Sequence, residues 1–232
     1  MTSDNTTPHH ASKYNTSVRQ TIPHYEARHR EILEWAAVLH PDVTCWLDTG
    51  CGTGYLIEQA LPGFPQTHFV LTDPSEAMLV RAHERLAGES RVQFLPPVTS
   101  ADLRRYTGEI QPHIITAVLC HHYVRSEERV ASVAACYELL APGGVLIVVE
   151  NCAPRSEAGV AAALECWGRF QMSQGRSPEV VADHLKRYDS AYFPITVDAH
   201  LALLHATGFQ TVDLFWYTYI QAGFYAIKPD AG

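Results

Sequence analysis

Three observations predict an α/β protein in which helices cover both faces of a largely parallel β-sheet. Apolar strands and helices alternate from residue 45 to residue 150, the pattern of a parallel sheet with helical crossovers. Two of the strands, Ile114-Ile115-Thr116-Ala117-Val118-Leu119 and Val145-Leu146-Ile147-Val148-Val149, are apolar almost without a break, as strands covered on both faces require. The first strand, Cys45-Trp46-Leu47-Asp48-Thr49, runs into Gly50-Cys51-Gly52-Thr53-Gly54, three glycines at every second position. An acid, Asp73, closes the second strand about twenty residues past that loop.

Length and composition bound the rest. A chain of 232 residues that is 47% hydrophobic, with both charge signs present, buries a substantial core and reads as one globular domain. A net charge of −8 argues against a nucleic-acid partner, because phosphate binding needs clustered Lys and Arg. Small-molecule chemistry is favoured, in a monomer or homodimer. No apolar run reaches spanning length, and the polar opening lacks a secretory pattern, so no membrane partner and a cytoplasmic location are expected. The six cysteines at 45, 51, 120, 136, 152 and 166 form no C-x-x-C pair and read as reduced core thiols. The histidines show no metal spacing, and no metal is expected. His9-His10 sits in the tail, and His121-His122 follows a strand whose direction sends neighbouring side chains to opposite faces.

Residues 1–16 have the composition of a disordered tail. Residues 18–39 read as helix broken at Pro23, with an apolar stripe of Ile22, Ile32, Leu33, Ala36 and Ala37. The segment 1–40, carrying His24, Tyr25, Arg28 and His29, is open to two readings: a lid over the site, or simple packing on the sheet with a solvated His/Arg face. The domain proper, 41–232, continues as strand 45–49, helix 54–61, strand 67–72, helix 75–87, strand 91–95, short helix 100–106, strand 113–120, helix 127–140 and strand 144–150. Pro142-Gly143-Gly144 ends the last of these helices and turns the chain into the next strand. A helical insertion of about 156–189, within the wider span 152–195, bears Val160, Ala163, Leu164, Trp167, Phe170 and Met172. It is too long for a plain connection. Helix 197–207 stops at Gly208, and strands 211–219 and 223–228 face each other across Ile220-Gln221-Ala222 as an antiparallel hairpin.

In an open α/β sheet ligands lie beyond the carboxyl ends of the strands. The site therefore collects the stretch from Asp48 to Gly54, Asp73 with Pro74 and Ser75, the loop after the third strand, the stretch from Cys120 to Tyr123, and the stretch from Glu150 to Cys152. Glycine lets the backbone turn sharply and approach a ligand that a Cβ would obstruct, and Asp73 is placed to accept from both ribose hydroxyls.

The form G-C-G-T-G, with Asp48 two residues before Gly50, is not the dinucleotide spacing. It resembles motif I of the class I S-adenosylmethionine (SAM) methyltransferases, and the resemblance runs from Thr44 to Lys228. It implies a Rossmann-like, seven-stranded sheet in the order 3-2-1-4-5-7-6 with strand 7 antiparallel, and SAM as cofactor or substrate. It assigns Gly50 and Gly52 to the methionine part, Asp73 to ribose, and Met78 or its neighbours to the adenine face. Cys51, Gly54, Pro74, Cys120, His121 and Tyr25 complete the expected SAM contacts. The family's adenine-binding acid is missing from Pro96-Pro97-Val98-Thr99-Ser100-Ala101-Asp102, leaving Asp102 or a backbone carbonyl for that role. Met78 is equally readable as helix core. A sulfonium is held by aromatic faces and carboxylates, and Tyr25, Tyr123, Trp167, Phe170, Tyr188, Tyr192 and Tyr219 fall in the segments that cover the cofactor. Each of them is also readable as core.

Two narrower resemblances concern the reaction. The insertion and the C-terminal pattern are laid out as in carboxy-S-adenosylmethionine synthase, whose acceptor-anion arginine corresponds loosely to Arg187. Asn151 at the end of the fifth strand, Tyr188 in the insertion, and Ile22-Pro23-His24-Tyr25 resemble the azetidine-2-carboxylate synthases. That resemblance implies cyclisation of SAM itself to azetidine-2-carboxylate and methylthioadenosine, with Asn151 and Tyr188 as catalytic residues. Asn151 is otherwise a turn residue and Tyr188 a core aromatic. Methyl transfer to a small molecule, and a non-catalytic SAM-binding protein, are the alternatives.

Overall fold

The computed structural model describes residues 14–231, with side chains from residue 17. Most of the tail expected to be disordered, His9-His10 included, lies outside the described residues. The helix begins earlier than expected, at Tyr14. Two N-terminal helices, α1 (Tyr14–Thr21) and α2 (Tyr25–Leu39), meet at the break expected at Pro23. The alternating part follows as β1 (Cys45–Thr49), α3 (Tyr55–Ala60), β2 (His68–Thr72), α4 (Glu76–Arg85), β3 (Val92–Phe94), α5 (Arg104–Thr107), β4 (Ile114–Val118), α6 (Ser126–Leu139) and β5 (Val145–Ala153). The short helix expected over 100–106 divides into a 3₁₀ turn, Ser100–Asp102, and α5. The insertion forms α7 (Glu157–Ser173) and α8 (Pro178–Leu185). The chain closes with β6 (Ile195–Thr196), α9 (Val197–Thr207), β7 (Thr211–Thr218) and β8 (Gln221–Ile227).

Local chemistry sets these boundaries. Ser75, Ser156, Ser177 and Thr196 each cap the helix that follows by accepting a backbone N–H with the side chain, which satisfies a donor the helix cannot. Gly208 ends α9 at φ 115°, a conformation that disfavours a side chain.

The sheet runs β3-β2-β1-β4-β5-β8-β7, with β6 added beside the end of β5. Strands β1 to β5 pair in parallel and β8 lies antiparallel to both β5 and β7. Without the two-residue β6 this is the expected seven-stranded order. β6 escapes periodicity because it pairs only through Cys152↔Ile195 and Ala153↔Thr196. The hairpin also turns early: β8 begins at Gln221, two residues before the expected start, so Gln221 and Ala222 belong to the sheet rather than to the turn.

Side chains alternate across the sheet. Leu47, Val70, Ile115, Leu146 and Val148 pack with α6 and α9 on one face. Trp46, Phe69, Ile114, Val145 and Ile147 pack with α2 and α3 on the other. A third cluster lies beyond the carboxyl ends of the strands, where Val18, Ile22, Tyr25, Trp167, Tyr192 and Ile220 are buried against one another. It joins the N-terminal helices, the insertion and the hairpin turn into one roof. Trp167 Nε1 donates to the Thr21 carbonyl at 2.7 Å, Arg176 Nη1 to Thr21 Oγ1 at 2.8 Å, and Gln20 Nε2 to the Gln174 carbonyl at 3.1 Å. Of the expected solvated His/Arg face only His24 is exposed, since Tyr25, Arg28 and His29 are all buried. Two residues of the apolar stripes are instead on the surface, Ala37 of α2 and Met172 of α7.

Candidate active site

The turn after β1 is shaped by two glycines with different tasks. Gly50, at φ 69°, lies so close to Cys120 that an added Cβ would come within 2.5 Å of the cysteine Cβ. Only hydrogen fits there. Gly52, at φ 55°, has nothing within 4 Å of where its Cβ would stand. Its backbone borders open space and is free for close approach by a ligand. Asp73 ties this loop to β2, accepting from Gly52 N at 2.9 Å and Ser75 N at 2.8 Å.

A cavity open to solvent is lined by Asp48, Gly50, Cys51, Gly52 and Thr53 from this turn and by Tyr25, Arg28 and His29 from α2. Burial raises Asp48 to about 7, against the opposing hydrogen bond that Thr116 Oγ1 donates to it at 2.6 Å. Burial likewise lifts Asp73 to about 6, while the two backbone N–H groups pull it down. His29 moves the other way, to about 3, because burial and the neighbouring Arg28 both disfavour its charged form. Arg28 is therefore the cation of this lining. A second cavity, of about 450 Å³, is bordered by Pro74, Pro97, Val98, Thr99 and Asp102. Asp102, one candidate for the missing adenine acid, lines this cavity and pairs with Arg105.

Residues that fit a nucleoside with a charged amino-acid tail are thus together. Glycine backbone faces open space, a buried carboxylate sits beside it, and a buried arginine lines the same cavity. SAM is such a molecule.

Behind the first cavity runs a buried polar chain. Glu150, at the carboxyl end of β5, accepts from His121 N and His122 N, each at 2.9 Å, and from His122 Nδ1 at 2.6 Å. Burial alone would raise this carboxyl, but His122 and its neighbours outweigh burial and hold it near 2. Asn151 Nδ2 lies 3.4 Å from His122 Nε2, Gln221 Nε2 donates to Asn151 Oδ1 at 3.3 Å, and Arg28 Nη1 donates to Gln221 Oε1 at 3.3 Å. All five side chains are buried. Backbone strain gathers in the same region: the described non-glycine residues with positive φ are His24, Leu119, Asp189 and Tyr219. They sit at the start of α2, at the cavity wall, next to Tyr188, and at the turn before Gln221. Conformations of this kind persist where the surrounding structure over-determines them.

Of the residues expected from sequence, Tyr25, Asp48, Gly50, Cys51 and Gly52 line the first cavity and Pro74 the second. Gly54 caps α3, and Cys120 packs against Gly50. His121 and His122 do not point to opposite faces of a strand. They form a 3₁₀ turn in which both rings are buried, His121 Nε2 meeting Ser100 Oγ at 2.8 Å. Met78 lies fully buried in α4 and borders neither cavity. Asn151 stands in the polar chain, one hydrogen bond removed from Gln221 and two from Arg28. Tyr188 packs half-buried against the roof, its ring 6.0 Å from that of Tyr192. Sequence reasoning placed His122 at the site only as part of the stretch from Cys120 to Tyr123, and missed Gln221. The available signal was a glutamine inside an apolar strand, between Ile220 and Ala222, since a polar side chain there must find a buried partner.

Cys120, His121 and Glu150 bring potential metal-ligand atoms within 4.8 Å of one another. Both Glu150 oxygens are committed to N–H donors, and burial drives the Cys120 thiol well above its ordinary range. The trio is a packed polar cluster rather than an open coordination site.

Residues 47–146 match the methyltransferase domain family. The chain is 24% identical over 221 residues to the carboxy-S-adenosyl-L-methionine synthase of Methylococcus capsulatus, covering 94% of this chain and 90% of that protein. It is 30% identical over 178 residues to the enzyme of the same name from Chromohalobacter salexigens, covering 75% of this chain and 64% of that protein. Among solved structures, the N-methyltransferase NodS of Bradyrhizobium japonicum, crystallised with S-adenosyl-l-homocysteine, superposes with a TM-score of 0.62. The identity is 12%, over 94% of this chain and 99% of that one.

Proposed function

Starting from a SAM-dependent enzyme of the class I methyltransferase fold, with its methyltransferase domain at residues 47–146, we propose that SAM is its sole substrate. The enzyme closes the methionine moiety into azetidine-2-carboxylate and releases methylthioadenosine. One observation carries this reading: Asn151 is linked through Gln221 to Arg28, and Arg28 lines the same cavity as Gly50 and Gly52. The buried amide thereby serves the amino-acid end of the ligand rather than its adenosine end.

The chemistry balances without a second reactant. The α-ammonium loses one proton, and the nitrogen lone pair then attacks Cγ. The Cγ–S bond breaks with its electron pair going to sulfur, so the sulfonium leaves as a neutral thioether. The ring nitrogen keeps its two remaining hydrogens and a positive charge, and the proton lost first has gone to solvent. Such a step depends on holding nitrogen and Cγ in line, which position and enclosure supply. Asn151 has donors and an acceptor with which to orient the amino and carboxylate groups. Arg28 pairs with the carboxylate, and Asp73 holds ribose so that contacts far from the reacting carbon offset the strain of the bent chain. Tyr188 lays its ring toward the sulfonium. The roof of Tyr25, Trp167 and Tyr192 fills the space that a methyl acceptor would occupy.

A second reading, group transfer of the carboxy-SAM synthase kind, is favoured by the names of the relatives and by Arg187. Its charge lies close enough to the Tyr123 and Tyr192 hydroxyls to oppose the upward push of burial on both. Incubation with SAM alone separates the two. Cyclisation yields methylthioadenosine and azetidine-2-carboxylate in equal amounts, whereas group transfer needs a second reactant.

A further inference from the structure

The buried chain behind the cavity ends in two groups whose hydrogen-bonding roles cannot be exchanged. The guanidinium of Arg28 can only donate, and the carboxylate of Glu150, whose two oxygens take the backbone N–H groups of His121 and His122, accepts. Between them stand three groups that have a choice: the Gln221 amide, the Asn151 amide and the His122 ring. We propose that the two ends impose one direction on the whole chain, making Arg28, Gln221 and His122 positioning residues that fix which way the Asn151 amide points. The proposal rests on the reading that Asn151 addresses the methionine end of SAM.

The direction follows link by link. Arg28 Nη1 faces Gln221 at 3.3 Å, so that amide must present Oε1 to it and Nε2 to Asn151. Asn151 must then accept with Oδ1, also at 3.3 Å, and turn Nδ2 to His122 Nε2 at 3.4 Å. The ring must accept at Nε2 and carry its proton on Nδ1, which donates to Glu150 at 2.6 Å. The reverse arrangement fails at one end. If His122 donated from Nε2, Asn151 would turn its oxygen to the ring and its N–H groups to Gln221. Gln221 would then turn its own N–H groups to Arg28, donor against donor in a buried site where an unmatched polar group is costly.

One direction leaves Asn151 with one N–H and one carbonyl lone pair unused by the chain, at fixed positions, for the ligand. The long sequence separation along the chain, 193 residues between Arg28 and Gln221, means that the N-terminal helix sets the attitude of a residue on the fifth strand.

The test uses the full chain labelled with ¹⁵N-histidine, His122 being assigned by loss of its signals in His122→Asn. The expected spectrum without ligand shows His122 protonated at Nδ1 and bare at Nε2; protonation at Nε2 would overturn the proposal. Gln221→Glu keeps the size of the side chain and its bond to Arg28 but replaces the donor to Asn151 by an acceptor, so the Asn151 amide must turn. The expected result is a displaced His122 Nε2 signal, SAM affinity by calorimetry within about threefold of wild type, and turnover lower by about 100-fold, the scale of misplacing one preorganised donor. Unchanged His122 signals in that variant, with turnover within about threefold of wild type, would also overturn it. Gln221→Met, which removes both hydrogen bonds, serves as the second variant should Gln221→Glu not fold, and is judged by the same signals. Wild-type protein that makes no azetidine-2-carboxylate sinks the cyclisation reading alone, because the histidine spectra are read without turnover.

Discussion

The two ends of the proposed SAM site are built in opposite ways. The adenosine end rests on one carboxylate, Asp73, held by the N–H groups of Gly52 and Ser75 within the loops that follow β1 and β2. The methionine end adds to the glycine turn side chains brought from four distant segments: Arg28 of α2, His122 after β4, Asn151 of β5 and Gln221 of β8. The first construction holds any ligand with the right nucleoside and leaves the reaction open. The second is a buried chain of side chains, and on the proposed reading it is where cyclisation and group transfer part.

The sharpest way to break this contrast is at Asn151. Asn151→Ala is expected to lower turnover with SAM by about two to three orders of magnitude while SAM affinity stays within about threefold, the split of a group that acts in the transition state. Equal losses in both would make it structural. At the other end the split reverses: Asp73→Ala is expected to raise the SAM dissociation constant about 100-fold, the loss of hydrogen bonds to a charged acceptor, with turnover at saturation nearly kept. Unchanged affinity would remove Asp73 from the ribose. Tyr188→Ala should cost about 10–30-fold in turnover and Tyr188→Phe much less, since a ring face held against a desolvated cation contributes about 2 kcal/mol. Equal effects of the two would point to the hydroxyl instead.

The smallest effect is on pH. With its pKa raised to about 6, Asp73 is ionised at pH 7.5 and largely protonated at pH 5. SAM affinity is therefore expected to fall about tenfold across that interval through this group, and to fall less in Asp73→Asn, where Asp48 alone of the two still titrates. Stability of the ligand-free fold runs the opposite way. Raised folded-state values at Asp73 and Asp48 mean that ionising them costs stability, so the cost is present above about 7 and is relieved as pH falls through 7 and 6 towards 4. A thermal melt series over that range measures it.

The same contrast explains what the sequence made legible. The glycine turn, Asp73 and the sheet order follow from local spacing and strand patterning, and they stand where expected apart from a short extra strand whose pairing is entirely tertiary. The 3₁₀ turn that buries His121 and His122 is set by the Glu150 carboxylate, a partner 28 residues from His122, and no periodicity reports such a partner. Gln221 falls within the turn expected between the two last strands; in the sheet it is buried, with Asn151 and Arg28 as its partners. Asn151 and Tyr188 were reached through resemblance to a family, and composition had nothing to say about either.

The central claim is that this protein needs only SAM. Purified full-length enzyme is incubated with SAM alone, and the products are quantified against the uncatalysed background. Matched formation of methylthioadenosine and azetidine-2-carboxylate is the result expected. Intact SAM, turned over only when a second reactant is supplied and then to S-adenosylhomocysteine or a modified SAM, would contradict it.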